Sequence, residues 1–398
     1  MSISNNTKLI RAALFTPTKQ GWGLPIIFWG GPGGGKTSVI SEAAAEFGLP
    51  LEVLSPGERG EGAFGVTPMP DADGYISYPP PRWTERFTEA TGGVVFVDEF
   101  NLAPPAIQAP ILGLVLAKRI GGMTLPGRVR ILAAANEVHD AAGGHDLAPP
   151  TANRLGHHQW GAMEGGEWRD WLMSDVDRET VVRETAAAIE KRITARWIPC
   201  WAKQRALVAG FIHANPAALN RQPDTGHPDS SKAWASPRSW ENAARALASA
   251  QAHEMSEFEG DMFAGGFVGM GTMGELITYR AKADLPDPMD VLDGKVTFKP
   301  DTKRLDRTYA VLGGVTSAMM GIHNGLRLTS PTDVKKDKDF MRRFDTLVEL
   351  ITKVADVAID LCWGPAQQVA KAGLHGLTKE SGELMRRLIP MMNATAKK

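Results

Sequence analysis

Residues 30–38 read Gly-Gly-Pro-Gly-Gly-Gly-Lys-Thr-Ser, which fits the spacing G-x-x-x-x-G-K-[ST]. Glycine has no Cβ, so a backbone this rich in it can curl until its N–H groups point at one centre, a seat for phosphate oxygens. Gly30, Gly31, Pro32, Gly33, Gly34 and Gly35 are the candidate cradle, with Lys36, Thr37 and Ser38 opening the helix behind it. Lys36 would place a positive charge on the β- and γ-phosphates of a nucleoside triphosphate, and the Thr37 hydroxyl would reach Mg2+. The helix N-terminus adds its dipole. A glycine-rich turn could match this spacing by accident, but an apolar strand before it and a helical pattern after it argue for the phosphate reading.

Two further stretches offer partners. In "VVFVDEF" (94–100) an apolar run delivers Asp98 and Glu99 to its end, where ligands bind in open α/β sheets. Asp98 would hold Mg2+ through its water shell, and Glu99 would orient and polarise an attacking water. Asn136 ends "ILAAAN"; its neutral amide can donate to a γ-phosphate and hold the water. Two arginines complete the set. Arg154 follows in "APPTANRLG", and Arg238 opens a helix further on. Guanidinium suits phosphoryl transfer because it is always charged and its planar fork matches phosphate oxygens.

These side chains need a frame. "LPIIFW" (24–29), "LEVL" (51–54), "GVVFVDEF" (93–100) and "VRILAAAN" (129–136) read as strands. Their near-continuous apolar character, with helical stretches between them, predicts a parallel sheet covered on both faces. Residues 7–15 and the stretch after Lys36 have helical spacing, the latter stopped by Gly48 and Pro50. "VTPMPDADGYISYPPPRW" (66–83) predicts a hairpin turning at Asp73-Gly74, and "AKRIGGMTLPGRVRI" (117–131) a second turning near Gly121-Gly122. Past residue 160 helices dominate. Ser236 fits an N-cap and Pro237 a first helical position, with Trp240, Ala243, Ala244 and Leu247 as the buried face. Residues 282–295 read as a linker, and 305–325 and 340–392 as helical. Pro110 falls inside the apolar-periodic stretch 104–118, where it should bend the helix.

Composition excludes several classes. The 398 residues are 43% hydrophobic and 22% charged, a globular balance, with a net charge of -1 that argues against an unspecific polyanion binder. No apolar run approaches a membrane span, and the N-terminal residues lack a secretory pattern. Cys200 and Cys362 are far apart and form no CxxC pair, so a reducing cytoplasm is the expected location. His157 and His158 are adjacent and cannot share a helix face, so a structural or solvated role is expected for them rather than a metal site. Cys200, beside Trp197 and Trp201, reads as a buried small hydrophobe.

The order phosphate loop, "VVFVDEF", Asn136, Arg154, then helices with Arg238 resembles an AAA+ ATPase. "GGVVFVDEFNLAPPAIQAPILGLVLAKRIGGMTLPGRVRILAAANE", "GGHDLAPPTANRL" and "SPRSWENAARAL" narrow the resemblance to the MoxR type. The two predicted hairpins sit where the wider clade carries a helix-2 insert and a hairpin before sensor 1. The resemblance covers roughly residues 8–285. It implies an αβα P-loop core (1–160), an all-helical lid (161–285) and a helical C-terminal extension (286–398). By position, Asn136 would be sensor 1, Arg154 an arginine finger acting on a neighbour's nucleotide, and Arg238 sensor 2. It also implies ATP and Mg2+, a homo-oligomeric ring (usually a hexamer), chaperone-like remodelling of other proteins and a von Willebrand factor A domain partner. ATP binding would then close the lid onto the phosphates through Arg238, and Phe64, the 66–80 hairpin and the tip near Met123 would be candidates to touch a client. Two alternatives stay open: a motor or loader acting on nucleic acid, against which the near-neutral charge speaks, and a nucleotide-switched scaffold with slow turnover. A GTPase is disfavoured by the lack of an NKxD motif.

Overall fold

The structure is a computed structural model that describes residues 3–59, 61–137, 145–161, 164–173, 182–224, 226–326 and 334–395. Of the features above, Gly143 and Gly144 lie outside that set. Packing groups the chain into two compact units: Met1–Ala195 with Asn220–Met273, and Arg196–Leu219 with Gly274–Lys398. The resemblance implies divisions at 160 and 285; packing groups the helices of 220–273 with the sheet.

The first unit is built on a five-stranded sheet. Its strands are β1 (Ile26–Trp29), β2 (Leu51–Leu54), β3 (Gly93–Val97), β4 (Val129–Ala135) and β5 (Gly156–Gln159). The order is β5-β1-β4-β3-β2, with every neighbouring pair parallel. The inner strands β1, β3 and β4 are buried at every residue, which is why they read as unbroken apolar runs. β5, "GHHQ", went unpredicted because it has no aliphatic residue. It is an edge strand whose two histidines occupy positions usually held by branched hydrophobes. Helices α1 (Ile3–Leu14), α2 (Lys36–Glu46) and α3 (Pro105–Ala117) belong to this unit, and the sheet followed by a large helical region is the expected P-loop AAA+ class of architecture. α3 continues through Pro110, which has no N–H to give to the helix ladder.

Both hairpins form. Met69–Pro70 pairs with Ile76–Ser77, and Arg119–Ile120 with Met123–Thr124. In the first turn the Asp71 carboxylate accepts the N–H groups of Asp73 (3.0 Å) and Tyr75 (2.9 Å), and Gly74 takes the left-handed conformation at φ 81°. Met69, Tyr75, Ile76 and Tyr78 are exposed, but Phe64 is fully buried in the core. A client-touching role for Phe64 is therefore corrected to a packing role.

The rest of the first unit is helical. After α4 (Pro149–Ala152), α5 (Gly165–Met173) and the start of α6 (Ala186–Ala214) come α7 (Pro237–Ala252) and α8 (Glu257–Val268). α7 begins as expected: the Ser236 hydroxyl accepts the Ser239 N–H at 3.1 Å, and Pro237 sits in the first turn. Trp240, Ala243, Ala244 and Leu247 are buried.

The second unit packs helices around Leu312, Phe340, Phe344 and Leu388. The expected linker at 282–295 is part of this core. Asp287 caps a short helix, Pro288–Leu292, with its carboxylate on the Met289 N–H at 2.9 Å, and Val291 and Leu292 are buried. Its paired prolines suggested a linker, but they serve to start that helix. Cys200 and Cys362 are buried free thiols, pushed up to about 11 and about 12 by burial first. Trp197 and Trp201 stack at 5.9 Å. No described helix is long and apolar enough to cross a membrane.

Candidate nucleotide-binding site

Strand order decides which residues meet. β1, β4 and β3 are neighbours and parallel, so their C-terminal ends bring Gly30, Asn136 and Asp98 to one end of the sheet; the register sets Gly30 level with Asn136, and Asp98 level with Ala134, two residues before Asn136. The loop after β1 turns through Gly33 (φ 73°) and Gly35 (φ 78°), conformations that L side chains rarely adopt. A Cβ built at either residue would meet nothing within 4 Å. The backbone conformation demands glycine here, and the side facing out is open.

Lys36 starts α2, whose first turn holds no acidic residue. A cation at the positive end of a helix opposes the dipole, so helix stability does not explain its presence. Its ammonium is 7% exposed as a residue and donates to Gly30 O (2.8 Å), Gly31 O (2.9 Å) and Asn136 Oδ1 (3.1 Å). Burial lowers its pKa, while Asp98 and then Glu99 oppose that shift. The Thr37 hydroxyl donates to Asp98 Oδ2, and the other oxygen of Asp98 accepts the Glu99 N–H at 3.0 Å. Glu99 itself is left-handed, at φ 51°. Backbone strain of this kind costs about 1 kcal/mol and concentrates at functional sites.

Two residues of this end were missed from sequence. Asn101 is completely buried and clasps Asn136: its amide donates to Asn136 O at 3.0 Å, and its oxygen accepts the Asn136 N–H at 3.3 Å. Its signal was an asparagine two residues past the acidic pair, at the end of a strand lying beside β4. Trp160, after β5, donates its indole N–H to Gly34 O at 2.7 Å and packs so closely that a Cβ on Gly30 would lie 2.8 Å from its own Cβ. It walls the loop from behind.

The histidines of β5 are structural. Trp29 donates to His157 Nδ1 at 3.0 Å, so the ring proton is on Nε2, which donates to Ala152 O at 2.9 Å. Burial first pushes His157 down to about 4 and His158 to about 3.

The arginines stand elsewhere. Arg154 precedes β5, whose Gly156 pairs with Ile26 at the start of β1, whereas the loop follows Trp29, the partner of Gln159. The length of a four-residue strand, about 13 Å, separates the two ends, which is more than an arginine side chain spans. Arg238 does not reach its own chain's cradle either. It lines a cleft of about 190 Å3 together with Arg154, bordered by Gly23–Pro25 ahead of β1 and by Ile131 near the start of β4. In this arrangement α7 holds Arg238 at the end of the sheet opposite the cradle, so the closure through Arg238 that the resemblance implies would have to carry it from there. In that cleft Arg245 donates to Pro17 O (2.8 Å) and Glu241 (3.0 Å), and Lys19 also pairs with Glu241 at 3.0 Å. Among the described residues neither Arg154 nor Arg238 has a carboxylate partner. Arg154 donates to Pro150 O, but its Nε is buried without a partner. Its pKa is lowered by burial and then by the charge of Arg238.

The residues present fit a nucleotide and its metal. A left-handed glycine loop opens outward, a buried ammonium lies under it, and a hydroxyl and a carboxylate touch beside it. Among the described residues no other His, Cys, Asp and Glu cluster suits a metal.

No family model matches the sequence, and no curated protein matches it. Among solved structures 235 chains match. One is a candidate ATPase from Cytophaga hutchinsonii, 14% identical, covering 67% of this chain and 80% of that one, with a TM-score of 0.44.

Proposed function

We propose that the chain hydrolyses ATP in a homo-oligomeric ring, with each cradle completed by Arg154 and Arg238 of the next subunit. The observation that carries this reading is the separation of the two sets. The cradle, Asp98, Glu99 and Asn136 share one end of the sheet, while two arginines that have no carboxylate partner among the described residues share the other. Like charges held together in a cleft repel unless an anion lies between them. A chain that cannot bring its own phosphates there would meet them on a neighbour.

Within one cradle, the loop N–H groups and Lys36 hold the phosphates, and Thr37 with Asp98 holds Mg2+. The metal, when bound, neutralises charge on phosphate oxygens. Glu99 orients the attacking water and takes its proton, and Asn136, fixed by Asn101, holds the same water from the side. Arg154 and Arg238 supply positive charge from the neighbour, which makes turnover depend on assembly. The resemblance to MoxR-type AAA+ proteins extends the proposal to a hexamer that remodels partner proteins, with a von Willebrand factor A domain protein as one partner.

The test is ATP hydrolysis by the purified chain beside its Glu99→Gln variant. Wild-type turnover and a variant that binds ATP but hydrolyses at least about a hundredfold more slowly support the proposal. Undiminished hydrolysis in the variant refutes the role of Glu99.

A further inference from the structure

Asn153 stands between the two arginines in the fold, and nothing in its sequence position explains why it is buried. It is 5% exposed. Its amide nitrogen donates to Trp234 O at 2.8 Å, and its amide oxygen accepts the Ser236 hydroxyl at 2.7 Å. Both ends of the side chain are therefore spent on the segment that starts α7. Ser236 is the N-cap of that helix and accepts the Ser239 N–H at 3.1 Å, and the Ser239 hydroxyl returns to Trp234 O at 2.9 Å. Arg154 is the next residue after Asn153, and Arg238 is two residues after Ser236. The 83-residue gap between Asn153 and Ser236 is closed by one short hydrogen bond with an arginine on each side of it.

We infer that Asn153 is a positioning residue: with Ser236 it bolts α4 to the start of α7, and so fixes the spacing of Arg154 and Arg238 as one two-pronged receptor for phosphate oxygens of another subunit's nucleotide. The inference rests on the proposed trans role of the arginines. The physical need is clear. Two neighbouring guanidinium groups that have no carboxylate partner among the described residues repel, and a surface loop would let them drift apart. A buried amide with both its ends satisfied holds them against that force, because breaking the bond would strand buried polar atoms. An asparagine meets the requirement where an aspartate would not, since the site needs one donor and one acceptor.

The test uses the full chain. Asn153→Ala should lower kcat about tenfold or more, as a displaced catalytic group does, while leaving the Kd for ATP in its own cradle within about twofold. Ser236→Ala should act in the same direction, and Ser236→Thr, which keeps the hydroxyl, should restore the rate. The double variant Asn153→Ala/Ser236→Ala should be no slower than the slower single variant, because both remove one shared bond. Mixed with Lys36→Ala chains, Asn153→Ala chains should give more activity than the sum of the two alone, since sound cradles then face sound arginines. Arg154→Ala mixed with Lys36→Ala is the control. If the control recovers and the Asn153→Ala mixture does not, or if Asn153→Ala loses its own ATP binding, the positioning role is overturned and the trans reading stands. If neither mixture recovers, the trans reading falls and takes this inference with it.

Discussion

The two ends of the sheet are built by opposite rules. At the cradle end the key polar groups pair within the chain: Lys36 has three oxygen partners, Thr37 is on Asp98, and the Asn101 side chain holds the Asn136 backbone. At the other end Arg154 and Arg238 share a cleft whose Glu241 pairs with Arg245 and Lys19, and among the described residues neither arginine has a carboxylate partner and Arg154 Nε is buried without one. The first end is preorganised within one chain. The second, on the proposed reading, is a half-site that a neighbour's phosphates would complete.

The comparison can be broken in steps. Arg154→Ala should produce the largest fall in turnover, about a thousandfold, with ATP binding retained; steady-state kinetics beside equilibrium binding checks it. If the variant instead loses binding, the two ends are not separate sites. Asn101→Ala should act at the cradle end alone. It leaves buried groups of Asn136 unpaired, so a loss of about 1–3 kcal/mol in stability is expected together with slower turnover, read by denaturant unfolding and an ATPase assay. Trp160→Phe keeps the ring wall but removes the donor to Gly34 O. A rise of about tenfold or less in the Kd for ATP is the expected outcome, measured by titration, whereas turnover at saturation should change little.

A further effect, on stability alone and not on either end of the sheet, is one of pH. His158 is buried and His253 half-buried, and desolvation first holds each down to about 3. Above the ordinary histidine value, near 6.5, both folded and unfolded chains carry them neutral and they add no pH dependence. Below it the unfolded chain takes up protons that the folded chain refuses, so stability falls as pH drops from about 6.5 toward about 3, by at most about 1.4 kcal/mol per pH unit for each histidine. Thermal unfolding across that range should show the slope, and His253→Gln should make it shallower.

Much of this was legible in the sequence. The four strands with branched or aromatic cores, the loop, both hairpin turns and the Ser236 cap all carry local signals, because buried parallel strands, left-handed glycines and capping serines are required where they occur. What stayed hidden depends on packing between distant segments. β5 has no apolar run, since His157 and His158 are made apolar in effect by burial rather than by type. Asn101, Trp160 and Asn153 act through partners 35, 126 and 81 residues away, and no spacing rule reports such pairs. Arg238 was recognisable as a helix-opening arginine, but which end of the sheet it faces is decided by how α7 packs. Residues 282–295 looked like a linker because proline marks both linkers and helix starts.

The central claim is that each chain takes up its own nucleotide at the glycine loop and offers its arginines to another. Isothermal titration of ATP with Mg2+ into the purified chain and two variants tests it most directly. Heat of binding should be present in wild type, abolished in Lys36→Ala and retained in Arg154→Ala. Absence of binding by the folded wild-type chain, or binding lost in Arg154→Ala but kept in Lys36→Ala, would contradict it.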